Sequence, residues 1–148
     1  MVTEETKVTY GRILNWVSSN LPRIRAAFST RAQWEIWLQV ELSIFMNQEM
    51  GATTREVTYD GSADSLDLWL IGGSEAYAIE LKVETERTGR VSGRAMVPSL
   101  HHDRDKLLDH DLQARFRESG RSSLVGMVIG IGSLANYHTI AQTLYRDN

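Results

Sequence analysis

The spacing of apolar residues changes along this chain, and the changes mark out its elements. Across residues 8–28, Ile13, Leu14, Trp16, Val17, Leu21, Ile24 and Phe28 recur near the helical repeat. Pro22 interrupts that run, which predicts two short helices or a helix and a turn. Ser29 or Thr30 is placed to cap a longer helix over 31–50, and Gly51 is placed to end it. The period then falls to two. "TREVTY" (54–59), "LDLWLI" (66–71) and "AYAIELKV" (76–83) read as strands, with a tight hairpin at Gly72–Glu75 joining the last two. Residues 85–102 carry Gly89, Gly93 and Pro98 and no clear period, so a long, functional or mobile connection is expected. A charged helix over 103–119 would bury Leu108, Leu112 and Phe116. The unbroken apolar run at 123–132 predicts a central strand covered on both faces. A last helix, over 134–145, would bury Tyr137, Ile140, Ala141 and Leu144. The order α–β–β–β–α–β–α predicts one α/β domain over residues 1–148, with helices against a mixed central sheet.

Composition narrows the choice of chemistry. The chain has 148 residues, 42% of them apolar, enough for a packed core. It has no cysteine, which excludes disulfides, thiolate zinc sites and a cysteine nucleophile. No apolar run is long enough to span a membrane, and "MVTEETKVTY" lacks the layout of a signal peptide, so a cytoplasmic protein is expected. The net charge of −3 is not that of a basic nucleic-acid binder. The charge is uneven, however. Arg87, Arg90 and Arg94 occur in a stretch without an acid, and Arg12, Arg23, Arg25 and Arg31 have few acidic neighbours.

Three places conflict with their local pattern. On the 31–50 helix, Trp34, Trp37, Leu38, Ile44 and Phe45 form an apolar stripe opposite Gln39, Ser43 and Asn47, with Glu41 in the middle of the stripe and Glu35 at its edge. Asp67 opens a hydrophobic strand and shares a face with Trp69 and Ile71, although Asp64 competes with it for any role. Glu80 and Lys82 lie on the face of Ala76 and Ala78, opposite Tyr77, Ile79, Leu81 and Val83. Each oddity alone has a structural reading: an ion pair, a turn residue, a cross-strand salt bridge. Together they say more. The hairpin sets Asp67 beside Glu80, and two such carboxylates repel unless a hard divalent cation such as Mg²⁺ or Mn²⁺ sits between them. Lys82 follows about 7 Å along the same face, within reach of a water beside that cation. Glu41 could join from the packed helix.

With these residues in place the chain resembles the PD-(D/E)XK nuclease superfamily, the restriction-endonuclease-like fold. That family has an α–β–β–β–α–β core, with an acid opening the second strand and an acid-x-lysine in the third. A glutamate often comes from its first core helix. The matching positions here are Asp67 in "SLDLWLI", Glu80-Leu81-Lys82 in "IELKVE" and Glu41 in "WLQVELSIF", over a core of about residues 31–132. Leu66 stands where the family often has proline. The resemblance implies a metal-dependent nuclease, expected to be a DNA endonuclease. Asp67, Glu80, the Leu81 carbonyl and Glu41 would hold Mg²⁺ or Mn²⁺, and Lys82 would orient water or stabilise the phosphorane. Arg87, Arg90 and Arg94 would contact phosphates, whereas Lys106 and Gln113 on the next helix read as solvated positions. The resemblance leaves room for a homodimer or a protein partner. Two other readings stand beside it: an inactive binding or assembly module on the same fold, and an unrelated α/β domain in which Glu41 pairs with Lys82.

Overall fold

Pro22 acts as a helix start rather than a break inside one. The computed structural model, which describes residues 2–30, 34–83, 96–132 and 137–146, has α1 over Glu4–Ser19 and α2 over Leu21–Ser29, with Pro22 in the first turn of α2. A missing N–H costs nothing there. Thr30 closes α2, its hydroxyl donating to the Ala27 carbonyl. The long helix α3 is described over Trp34–Glu49. Its chain turns at Gly51, whose N–H donates to the Met46 carbonyl. A Cβ at Gly51 would lie 2.2 Å from the Ile71 carbonyl oxygen, so only glycine fits this approach to the sheet.

The strands β1 (Thr53–Thr58), β2 (Ser65–Ile71) and β3 (Glu75–Val83) form an antiparallel meander. Two helices follow, α4 over Met96–Asp109 and α5 over Gln113–Ser119. The single helix expected over 103–119 is thus divided. Asp111 causes the division: its carboxylate accepts from the Gln113 N–H and the Tyr145 hydroxyl, and its backbone bridges to Asp60. Strand β4 (Ser123–Ile131) then lies parallel to β3, with Glu75 opposite Ser123 and Val83 opposite Ile131. The expectation for 134–145 fails. Tyr137–Arg146 is a fifth strand, β5, antiparallel to β4. Its β-branched and aromatic residues suit an extended chain, and a spacing of three and four can arise on a strand with both faces partly covered.

The sheet order is β1-β2-β3-β4-β5. Helices cover both faces, which accounts for the long apolar runs of β3 and β4. On one face Ile13, Val17, Ile24, Leu38, Leu42 and Met46 of α1–α3 pack on Leu68, Leu70, Tyr77, Ile79, Leu81 and the odd-numbered apolar residues of β4. On the other, Leu100, Leu107, Leu112 and Phe116 pack on Trp69, Ala76, Ala78, Leu124 and Val128. On that second face Ala78 lies opposite Gly126 and Lys82 opposite Gly130, and a Cβ at Gly126 would press on the Leu144 side chain of β5. No helix among the described residues is long and apolar enough to cross a membrane.

One buried carboxylate serves the fold. Glu75, at the start of β3, accepts from Thr6 (2.9 Å), Ser123 (2.9 Å), Tyr77 (3.2 Å) and Thr3, the N-cap of α1. Burial alone would favour its neutral form, but the hydroxyl donors outweigh it and hold the acid below its ordinary range. α1 is thereby fastened to the end of the sheet away from the site described next.

Candidate active site

The β2–β3 ladder runs from Ile71↔Ala76 to Leu68↔Ile79 and stops there. The next positions in that register are Asp67 and Glu80. The strands part at these two acids, and Asp67 Oδ2 accepts from the Leu81 N–H at 2.7 Å. β1 is also distorted beside Asp67. Its register with β2 omits Glu56, which has φ of 54°. A non-glycine residue in the left-handed region is uncommon and is sustained only by its surroundings.

Where the strands part, the carboxyl groups of Asp67 and Glu80 lie close enough for each to act on the other's proton affinity. Glu80 is 4% exposed. Its Oε1 also accepts from the Tyr59 hydroxyl at 2.8 Å and lies 3.2 Å from Lys106 Nζ. Burial raises the proton affinity of both acids, and the negative charge of Asp67 adds to this at Glu80, which is pushed up to about 8. Two carboxyls in contact retain one proton between them, and they titrate as a unit. Tyr59 is pushed far above its ordinary range by burial and by the charge of Glu80, so it remains a hydrogen-bond donor.

Two lysines cross between β3 and α4. Lys82 Nζ lies 3.3 Å from Asp103 Oδ2, and Lys106 Nζ pairs with Glu80. Glu80-x-Lys82 on the strand thus faces Asp103-x-x-Lys106 on the helix, each acid opposite a base. Burial opposes the charge of Lys106, but Glu80 and Asp67 outweigh it and raise its pKa. Its ammonium also donates to the Ser65 carbonyl at 3.3 Å and lies 5.7 Å from the Tyr59 ring centroid. A further acid comes from α3. Burial pushes Glu35 up to about 7, with the charge of Asp67 adding to the effect and Lys82 opposing it. Four carboxyl groups (Glu35, Asp67, Glu80, Asp103) therefore act on one another across a site that holds two ammonium groups.

Glu41 does not belong to this group. The structure pairs it with Arg23 of α2 at 3.6 Å, and Arg23 also lies over the Trp37 ring. The reason is the rotation of α3. The expected polar face, Gln39 and Ser43, is buried, and Gln39 Oε1 accepts from Arg55 of β1 at 3.0 and 2.8 Å. Glu35 is on that sheet-facing side. Trp37, Glu41 and Phe45 instead turn toward α1 and α2, where Phe45 stacks on Trp16. Ile44, expected in the buried stripe, is 48% exposed. Neither Glu41 nor Lys82 has the other as partner. Asp64, the competitor of Asp67, pairs with His110 at 3.1 Å on an exposed loop. Arg87, Arg90 and Arg94 lie outside the described residues.

Lys106, Asp103, Tyr59 and Glu35 were not expected in a site. A signal existed for two of them: Asp103 and Lys106 are three apart on a helix, hence on one side of it, in a spacing that complements Glu80 and Lys82. No family model, curated protein or solved structure matches the chain.

The donor set suits a hard divalent cation. The Asp67 and Glu80 carboxyls offer oxygen ligands only. Among the described residues no group of three or more His, Asp or Glu side chains is arranged to hold a metal ion. A cation here would therefore complete its shell with a carbonyl or water, as Mg²⁺ commonly does.

Proposed function

We propose that this chain is a divalent-metal-dependent nuclease with a restriction-endonuclease-like core, acting on DNA. The single observation that carries this reading is the contact between the Asp67 and Glu80 carboxyls where β2 and β3 part, with Lys82 beside them. Three consecutive strands, then helices and a further strand, with an acid on the second strand and an acid-x-lysine on the third, agree with the α–β–β–β–α–β order of the PD-(D/E)XK resemblance.

In this reading Asp67, Glu80 and the Leu81 carbonyl would hold Mg²⁺ or Mn²⁺. A bound divalent ion would supply Lewis-acid stabilisation of phosphate charge and a lowered pKa for water. The chain's own groups do the rest. Asp103 holds the Lys82 ammonium, which in this reading would donate to a phosphate oxygen or position the attacking water. Tyr59 fixes the Glu80 carboxyl by its hydroxyl, so that the acid meets its ligand in one orientation. Glu35, with its raised pKa, can accept the proton that the attacking water gives up. Water oxygen joins phosphorus, and the leaving oxygen departs with a proton from solvent.

The test is cleavage of supercoiled plasmid, linear duplex, single-stranded DNA and RNA, with Mg²⁺, with Mn²⁺ and with EDTA. Metal-dependent cleavage that Asp67→Asn abolishes would support the reading. Folded protein that cuts none of the four substrates with either metal would refute it, and cleavage confined to RNA would change the substrate.

A further inference from the structure

The two ammonium groups of the site are not equivalent. Lys82 pairs with Asp103, an acid outside the Asp67–Glu80 pair. Lys106 pairs with Glu80 itself, 3.2 Å from the oxygen that also accepts from Tyr59. Its stem rises from α4, and its side chain keeps 28% exposure, so it has a way out toward solvent. The face of Tyr59 at 5.7 Å gives the displaced ammonium a second seat.

We propose that Lys106 is the resident counter-ion of the Asp67–Glu80 pair, and that a divalent cation binds there only by displacing it. The proposal rests on the metal-binding reading of that pair. The geometry leaves little alternative. A divalent ion bound to the same Glu80 oxygen sits about 2 Å from it, a few ångströms from the ammonium, in a buried setting where like charges repel strongly. Lysine suits the part because its charge is compact, monovalent and carried on a flexible stem. Lys106 would therefore keep the acids paired without metal and weaken metal affinity by the work of its own displacement. Once displaced, it would stand beside the metal as a second cation facing an incoming phosphate.

The experiment measures Mn²⁺ binding by calorimetry, without nucleic acid, to the intact chain and to Lys106→Met and Lys106→Arg. Removing the competing charge should tighten Mn²⁺ binding at least about tenfold in Lys106→Met. Lys106→Arg, which keeps the charge, should stay within about threefold of wild type. Unchanged or weaker binding by folded Lys106→Met would overturn the proposal, as would equal tightening in Lys106→Arg or no Mn²⁺ binding by any of the three. Should Lys106→Met not fold, lysine acylation of the wild-type chain, read by mass spectrometry, decides the matter. Mn²⁺ should raise the reactivity of Lys106 while leaving the surface Lys7 unchanged, and protection or no change at Lys106 would overturn it. Wild-type cleavage activity is scored separately. An active nuclease with unaltered Mn²⁺ affinity in Lys106→Met would remove this proposal alone, and tightened binding without any cleavage would remove only the nuclease reading.

Discussion

Asp67 and Glu80 bring two carboxyl groups together one position beyond Leu68↔Ile79, where the pairing of β2 with β3 ends. Two acids so placed weaken the metal-free fold when both are charged. Asp67→Asn and Glu80→Gln keep the shape and remove one charge each. Each is expected to abolish metal-dependent cleavage and to raise the melting temperature of the metal-free protein at pH 8.5 by about 2–6 °C. Thermal denaturation with a cleavage assay checks both. Either variant cutting at near the wild-type rate would exclude its residue from the chemistry.

The same pair makes stability depend on pH in a defined direction. Glu80 is raised from 4.5 to about 8 and Glu35 from 4.5 to about 7. Within that window the folded state binds more protons than the unfolded state, so these groups make stability fall as pH rises. The metal-free protein should be most stable near the acid end and lose stability progressively between about pH 4.5 and 8. Saturating Mn²⁺ should flatten the decline, because the cation replaces the protons. Urea denaturation at intervals across that range, with and without Mn²⁺, is the check. A stability that climbs steadily from pH 5 to 8 without metal would contradict the assigned shifts.

Glu35 and Glu41, which lie on different sides of α3, should respond in opposite ways. Glu35→Gln removes a charge that the site resists and a candidate proton acceptor. It should lower the cleavage rate about tenfold or more and stabilise the protein above pH 7. Glu41→Gln breaks a partly exposed pair with Arg23 and should cost under about 1 kcal/mol, with cleavage unchanged. If Glu41→Gln alone disables a fully folded enzyme, α3 presents its other side to the substrate.

Glu75 is the control for a buried acid without chemistry. Glu75→Ala leaves the hydroxyls of Thr3, Thr6, Tyr77 and Ser123 without their common acceptor. It should destabilise by roughly 3 kcal/mol or more, while the folded fraction keeps wild-type Mn²⁺ affinity. Equilibrium unfolding and calorimetry on the same preparation would show it, and a loss of Mn²⁺ binding in folded protein would link the two ends of the sheet.

Much of the layout was legible before the structure. A two-residue period and a glycine-rich turn place β2 against β3 and so bring Asp67 to Glu80, and Pro22 divides α1 from α2. The fate of Glu41 was not legible, because α3 carries apolar residues nearly all round. Which side meets the sheet is decided by what the sheet offers, and Arg55 on β1 draws in Gln39. Lys106 was hidden for a related reason. A charged residue on a charged helix looks solvated until its opposite number on the strand is known. β5 was misread because Tyr137, Ile140, Ala141 and Leu144 fit a helical spacing.

The connectivity of the sheet also bears on the order in which its charges meet during folding. β1 pairs with β2 and β2 with β3 across short connections, so Asp67 and Glu80 converge within a local meander. Asp103 and Lys106 arrive with α4, on the crossover that closes Glu75 against Ser123. Long-range parallel pairing of this kind is slow to form. The expected order of folding gathers the two acids before their ammonium partner from α4 docks. In pulse-labelled hydrogen exchange, amides of residues 68–79 should gain protection before those of residues 123–131, and the reverse order would place the crossover first.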